Sequence, residues 1–349
     1  MASEWVDELR SEISSLDRRL SGLRRETLLT GISDELEDIS SQLGRLPLSI
    51  EEIRTRGYVF KSYLERKAEV LEKQWHDILP RLQAEVGSQS RSLSFLLNQA
   101  EGEMTSLQMA FQRSPASARA KLGPCQMRIE KLEDKVRAVS DNIRGMFDTL
   151  QRNIKQAVEE VREIVWMLDQ LDEASFGLRP QEAPIEAAEA VYLVEPKLKG
   201  ILYLTDQRLL FERKEEVVVK KVLFIPTEKK LVQELVLDVP IGAVEECVGE
   251  EKGFILRKEI LGMRFSSGAP VREARFQLKE DSSTWRALIG RVLSGGIERE
   301  RIVPREEVPV EEAKEIPTRC PACGALITQE IVRGMVSITC EYCGNVIRL

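Results

Sequence analysis

The apolar positions in the first half of the chain recur at alternating spacings of three and four residues. The first run consists of Leu9, Ile13, Leu16, Leu20 and Leu23, and the pattern changes phase near Gly31 before it resumes. This spacing keeps one apolar seam of a helix against a partner helix. Residues 1–176 are therefore predicted to form a long helical coiled coil or helical bundle. The partner helices lie either in the same chain, as an intramolecular three-helix bundle, or in a second copy, as an oligomerising coiled coil.

Proline and glycine residues divide this helical half. Pro47 is predicted to separate the first helix from the second, because the residue before a proline disfavours the helical backbone conformation. Pro80 is predicted only to kink the second helix, since heptad-like spacing continues on both sides of it. A helix over 48–113 would be about 100 Å long. The proline and glycine residues of 114–125 mark a loop, which lets a third helix fold back on the second.

The pattern changes after residue 176 to short apolar runs rich in β-branched residues. The segment 177–188 is predicted to be a linker, and 189–296 a β domain that ends in a helix capped by Asp281 or Ser282. The predicted strands lie at 191–194, on both sides of a turn at Asp206-Gln207 within 200–211, and at 217–225, 231–239, 254–257, 261–265 and 274–278. The apolar face of the closing helix consists of Trp285, Leu288, Ile289 and Val292.

Three features of this domain suggest a family. They are the strand pair Gly200–Phe211 with the sequence GILYLTDQRLLF, the strand and turn Val239–Glu245, and Trp285 in the closing helix. In these features the segment resembles the GRAM and bacterial PH-like group of pleckstrin-homology-like domains. The resemblance implies a small β-barrel with a C-terminal helix, in which Trp285 plugs one open end. Members of that group bind phosphoinositides, other lipids or proteins.

Charge restricts the partners that the chain favours. The formal net charge is -7, of which residues 1–188 contribute -6, so the chain is not a generally cationic binder of nucleic acid or membranes. The middle and final parts of the chain are near neutral, so any basic binding face must come from local clustering. The candidate residues for binding an anion or an anionic lipid are Lys197, Lys199, Lys214, Lys220, Lys221, Lys229 and Lys230. Glutamates alternate with these lysines, so a solvated barrel surface is the competing interpretation.

The end of the chain carries the most specific motif. A proline-rich, charged linker over 297–317 leads to two C-x2-C pairs, Cys320/Cys323 and Cys340/Cys343, at a spacing typical of zinc sites. Four thiolates complete a tetrahedral shell and leave no position for water, which predicts one structural Zn²⁺ ion. Residues 318–349 resemble a zinc ribbon, with strands at 325–331 and 335–339, a turn at Arg333-Gly334 and a third strand at 346–349. A rubredoxin-like iron site or a disulfide framework are the alternatives.

The fold class is therefore multidomain α + β: a helical coiled coil, a PH-like barrel and a zinc ribbon. Catalytic motifs are absent from the sequence, and its only histidine, His76, falls on a predicted helix surface. Cys125 and Cys247 are expected to be small apolar residues. We expect a cytoplasmic, non-enzymatic scaffold or adaptor that binds proteins, forms a homo-oligomer through the coiled coil and takes no small-molecule substrate. A nucleic-acid-associated zinc-ribbon factor and a peripheral membrane tether that binds anionic lipid are the alternatives.

Overall fold

The structure, a computed structural model, describes residues 4–222, 225–252, 257–302, 318–328, 337–340 and 342–348. The chain divides into two units. The first, here called the bundle unit, comprises Met1–Ser49 and Glu65–Glu160, and the second, the sheet unit, comprises Ile50–Leu64 and Val161–Leu349. Part of the predicted helical half therefore belongs to the same unit as the β domain.

Helices α1 to α5 form the helical half. They are α1 (Glu4–Glu26), α2 (Thr30–Thr55), α3 (Leu64–Arg113), α4 (Pro115–Gly145) and α5 (Asp148–Asp172). In the bundle unit α3 runs antiparallel to α1 and α2, since Gln108 donates to Asp17 at 3.3 Å and Trp75 Nε1 donates to the hydroxyl of Ser40 at 2.9 Å. α4 turns back along α3. None of the described helices is both long and apolar enough to cross a membrane.

The predicted apolar seam is buried within the single chain. Leu9, Ile13, Leu16, Leu20 and Leu23 are between 3 % and 8 % exposed. After the phase shift the seam continues through further buried leucines and isoleucines of α2. Other helices of the same chain therefore cover this seam. A homo-oligomer formed through the coiled coil stays a prediction.

The first helix boundary differs from the predicted one. Pro47 lies inside α2, and the break falls instead at 27–29, where Leu29 has a φ of 54°. This left-handed conformation, uncommon for a leucine, interrupts the helix more sharply than the proline does, because a proline can be accommodated as a kink. The phase shift near Gly31 was therefore the correct signal, and the boundary predicted at Pro47 is wrong.

The second and third boundaries also differ. The predicted loop over 114–125 is wrong: Ser114 alone separates α3 from α4, because Pro115 occupies the first turn of α4, where its missing N–H is not needed. The helix predicted from residue 48 begins at Leu64, after a break at Gly57 with a φ of 92°. Pro80 lies inside α3, as predicted.

A sheet of antiparallel strands and one helix make up the β domain. The strands are β1 (Pro184–Tyr192), β2 (Leu198–Thr205), β3 (Arg208–Val222), β4 (Ile225–Pro240), β5 (Val244–Lys252), β6 (Lys258–Phe265) and β7 (Glu273–Leu278), in the order β4-β3-β2-β1-β7-β6-β5. The closing helix α6 (Ser282–Leu293) packs on β5 and β6. The carboxylate of Asp281 accepts the N–H of Ser283 at 2.7 Å and caps α6, and Trp285 is 2 % exposed.

Several strand predictions need correction. β1 begins at Pro184, within the predicted linker 177–188. The single strand predicted at 217–225 instead contains the end of β3 and the start of β4. These two strands pair antiparallel as a long hairpin, from Arg208 with Pro240 to Val222 with Ile225. β5 was not predicted, because its several glutamates obscure the alternation of apolar and polar residues that indicates a strand. β5 lies at the edge of the sheet, where charged residues are common. Most of the strand predicted at 254–257 and most of the linker 297–317 lie outside the described residues.

A buried ion-pair network fixes the turn between β2 and β3. Arg208 Nε and Nη2 donate to the two carboxylate oxygens of Glu182 at 2.8 and 2.7 Å, and Nη1 donates to Asp238 at 2.6 Å. The side chain of Arg208 is 4 % exposed and that of Glu182 is 0 % exposed. The Thr205 hydroxyl donates to Glu182 at 2.7 Å and accepts the N–H of Arg208 at 2.8 Å. The turn is thereby joined to the segment that precedes β1.

A second buried pair joins the same turn to the segment 50–64. Asp206 accepts the N–H of Ala183 at 2.9 Å and Nη2 of Arg301 at 2.7 Å, and the Arg301 guanidinium lies 4.7 Å from the ring centroid of Phe60. Next to Arg301, the N–H of Ile302 donates to the Val59 carbonyl at 2.8 Å. Residues on both sides of the predicted domain 189–296 therefore complete the sheet unit.

Arg208→Met is expected to lower the free energy of unfolding of the sheet unit by about 3–5 kcal/mol, because Glu182 would stay buried without its counter-charge. The matched control is Arg264→Met. Arg264 pairs with Glu246 at 2.9 Å but is 64 % exposed, so its loss should cost less than about 1 kcal/mol. Urea titration with hydrogen exchange in peptides from β2 and β3 measures both effects. Equal losses for the two variants would contradict the assignment.

Glu186 on β1 should give the sheet unit a distinct pH dependence. Burial raises the pKa of Glu186 to about 7, a rise that the charge of Lys61 opposes and that of Glu280 supports. The unfolded chain has the ordinary glutamate pKa of 4.5, so this contribution to stability is present below 4.5 and is lost as the pH rises through about 7. Glu186→Gln should remove that loss. Urea midpoints on both sides of neutrality measure it, and an unchanged pH profile would refute it.

Candidate metal centre

The four cysteines of the two C-x2-C pairs come together. The sulfur atoms of Cys320, Cys323, Cys340 and Cys343 all lie within 4.8 Å of one another. Cys320 Sγ is 3.7 Å from Cys343 Sγ, and Cys323 Sγ is 3.7 Å from Cys340 Sγ. Two sulfurs on one tetrahedral zinc ion are about 3.8 Å apart, given zinc–sulfur bonds of about 2.3 Å. Cys320 and Cys340 are buried with Ile347 in a small core, and the cluster is compatible with a metal site.

The two pairs adopt the same turn. The Gly324 N–H donates to the Cys320 carbonyl at 2.8 Å, and the Gly344 N–H donates to the Cys340 carbonyl at 2.9 Å. In each turn the N–H of the first cysteine donates to the carbonyl of the residue after the glycine: Cys320 to Ala325 at 2.8 Å and Cys340 to Asn345 at 2.9 Å. Gly324 and Gly344 have φ values of 75° and 71°, a region that glycine adopts without steric cost. The repeated turn explains why the spacing C-x2-C-G brings both thiols to one point.

Short strands hold the second turn. β8 (Ser337–Thr339) pairs antiparallel with β9 (Val346–Arg348), within two of the predicted strands. Of the strand predicted at 325–331, residues 325–328 are described, and Leu326 forms an isolated bridge with Arg319. Residues 329–331 lie outside the described part of the chain. The predicted turn at Arg333-Gly334 lies outside the described residues.

The thiols of the cluster influence one another's ionisation. Burial opposes ionisation of Cys320, but the N–H groups of Cys323 and Ala322 and the neighbouring thiols stabilise its thiolate and lower its pKa to about 6. The N–H of Asn345 favours the thiolate of Cys343, yet hydrogen bonds with the other thiols raise its pKa to about 12. A cation that binds all four sulfurs would displace the remaining protons, as thiolate ligation of metals requires.

The lysines predicted as an anion-binding face lie in different settings. Lys197 is exposed directly before β2, Lys199 is exposed on β2, and Lys230 is exposed on β4. Lys214 on β3 pairs with Glu173 at 2.7 Å. The charge of Lys214 is thus balanced by an acidic neighbour. The side chains of the other candidates, Lys220, Lys221 and Lys229, lie outside the described part of the chain.

The single histidine and the two cysteines outside the C-x2-C pairs lie away from the cysteine cluster in sequence. His76 is exposed on α3, and Cys125 is buried with its sulfur 3.9 Å from that of Met104. Burial raises the pKa of Cys247 to about 11, which keeps this thiol protonated. These observations agree with non-ligand roles for the two cysteines.

Sequence reasoning missed the buried charged side chains of the sheet unit. Besides the pairs at the β2–β3 turn, Glu212 on β3 is fully buried, where it accepts the N–H of Ser175 at 2.6 Å and an amide N–H of Gln233 at 3.1 Å. The available signal was the position of Glu212 directly after Leu-Leu-Phe, on a strand whose pattern predicts burial. These groups organise the fold and lie outside the cysteine cluster.

Comparison with known proteins finds only weak structural similarity. No family model and no curated protein matches the sequence. The chain is similar to a pleckstrin homology domain from Shewanella amazonensis (19 % identity, TM-score 0.23, 34 % of this chain and 89 % of that chain). It is also similar to the DH/PH domains of p115-RhoGEF (12 %, 0.22, 83 % and 94 %) and to autoinhibited Vav1 (11 %, 0.22, 98 % and 66 %). TM-scores this low do not show a family for the chain.

Proposed function

We propose that the protein is a non-enzymatic cytoplasmic adaptor, with a PH-like domain of the GRAM type and a C-terminal zinc ribbon as its two partner-binding modules. The observation that carries the proposal is the convergence of four cysteine sulfurs from two matched turns. A set of four thiolates fills a tetrahedral shell and leaves no open position for water or substrate, which is typical of a structural site. Reduced thiols also fit a reducing compartment such as the cytoplasm.

Cys320, Cys323, Cys340 and Cys343 would hold the ion. When bound, zinc supplies folding free energy to a module whose apolar core is too small to fold unaided. The cysteines themselves orient the two turns, and Ile347 packs against them. Tetrahedral all-thiolate ligation favours zinc, with iron as the alternative metal.

The sheet unit supports the second module. Its antiparallel strands end in α6, and Trp285 of α6 is buried, which is the arrangement that the PH-like interpretation requires. We assign this module to binding proteins, and one of the candidate anion-binding lysines, Lys214, is already paired with Glu173. One observation favours the nucleic-acid alternative: Tyr342 on the second cysteine turn is 74 % exposed, and exposed aromatic rings can stack on bases.

The zinc assignment predicts one zinc ion per chain by elemental analysis of undenatured protein. Cys320→Ser and Cys343→Ser should each lower zinc content, whereas Cys247→Ser, outside the cluster, should leave it unchanged. Zinc affinity should fall as the pH falls, because protons compete for the thiolates. Iron in place of zinc, or metal content that is insensitive to the cysteine variants, would contradict the zinc site.

The adaptor role predicts partners that depend on the zinc module. Affinity capture should compare the full chain with the full-length Cys320→Ser/Cys343→Ser variant and with a chain that ends at Ile302. Ending the chain earlier, at Gly296, would remove Ile297 and Arg301, which are buried in the sheet unit. Proteins captured only by the unaltered chain assign recognition to the zinc module. If nuclease treatment removes those proteins, the nucleic-acid alternative replaces the protein-docking role.

A further inference from the structure

A groove opens in the bundle unit where α1 and α2 are separated, and it faces α4. Its volume is about 930 Å³. Gly22 and Gly31 contribute to its lining, and a Cβ atom added at either position would meet no neighbouring side chain or other element within 4 Å. The break in the helix, at the positive φ of Leu29, therefore leaves accessible space beside the backbone.

Two double hydrogen-bonded ion pairs hold the groove on either side of this break. Arg19 of α1 donates to both carboxylate oxygens of Glu133 on α4, at 2.8 and 2.6 Å. Arg144 of α4 donates to both oxygens of Glu35 on α2, at distances between 2.7 and 3.2 Å. The hydrogen bond from Arg19 lowers the pKa of Glu133, so this pair stays ionised at neutral pH.

Three more arginines line the groove between these pairs: Arg18 and Arg25 on α1, and Arg137 on α4, here called the groove arginines. Within the described residues none of the three makes an ion pair at 4.0 Å or less. Arg18 donates to the Ser14 carbonyl at 3.4 Å, and the charge of Arg137 acts on Glu133. The full lining has five arginines against Glu26, Glu133 and Asp141, although residues 1–188 as a whole carry a net charge of -6.

We propose that the groove binds an anion with two or more phosphate groups. Guanidinium groups present paired donors that match phosphate oxygens. Arg18 and Arg25 are seven residues apart, about 10 Å along the helix axis, which favours a ligand longer than a single phosphate ion. The same chemistry is offered by a soluble polyphosphate or by the headgroup of a phosphorylated lipid. The groove lies in the bundle unit and is independent of the PH-like and zinc modules.

Calorimetric titration of the full-length protein with inorganic tripolyphosphate at low ionic strength tests the proposal. We expect one site per chain, with tighter binding than that of inorganic phosphate. Arg25→Gln and Arg137→Gln should each weaken binding about tenfold, the effect of losing charge-assisted hydrogen bonds. The control Arg119→Gln changes an exposed arginine of α4 outside the groove and should have no effect. No binding, or equal weakening by the control, would overturn the proposal.

Two further measurements complete the test. Gly22→Glu adds a carboxylate to the groove while all five arginines remain, and it should abolish binding. Circular dichroism shows whether each variant is folded, so this variant still tests the site if an arginine variant does not fold. Retained binding in folded Gly22→Glu would overturn the site. Co-sedimentation with phosphatidylcholine vesicles, with or without phosphatidylinositol bisphosphate, separates the two sources: retention that Arg25→Gln removes assigns a lipid headgroup, and tripolyphosphate binding without retention assigns a soluble ligand.

Discussion

The burial of full charges at the turn between β2 and β3 constrains how the sheet unit is assembled. Arg208 uses Nε and both terminal nitrogens, and Glu182 accepts from Arg208, from Thr205 and from the Arg179 N–H at 2.6 Å. Burial alone would raise the pKa of Glu182, but these donors lower it below its ordinary value. A buried charge is tolerated only with such complete pairing, so the strands and the segments before β1 and after α6 must be placed together.

The two modules of the proposed adaptor are stabilised by different physical means. The sheet unit combines buried ion pairs with an aromatic core in which the Tyr192 and Phe276 rings lie 4.8 Å apart. The cysteine cluster has a small apolar core. Its two turns are held by backbone hydrogen bonds, and binding of one ion by all four sulfurs would join them. Loss of a metal would therefore be expected to affect the second module while leaving the strands of the first intact.

Local sequence spacing predicted what local geometry determines. The heptad seam from Leu9 to Leu23 and the two C-x2-C-G turns could be predicted because each pattern is fixed within a few residues. The ion pairs of Arg208 with Glu182 and of Arg301 with Asp206 were not predictable, since the partners are 26 and 95 residues apart in the chain. The boundary predicted at Pro47 was wrong because a helix that packs against neighbouring helices can accommodate a proline without ending. The helix ends instead near Leu29, whose positive φ is incompatible with the right-handed helix.

The discontinuity of the sheet unit has a consequence for synthesis of the chain. Phe60 is fully buried, but Arg301, which covers its ring, is made long afterwards. At translation rates of about 5–20 residues per second, the interval between these two residues is roughly 10–50 s. During this time the Phe60 ring lacks the cover that Arg301 gives it in the complete sheet unit. The sheet unit therefore cannot complete this contact until the residues that follow α6 have been synthesised.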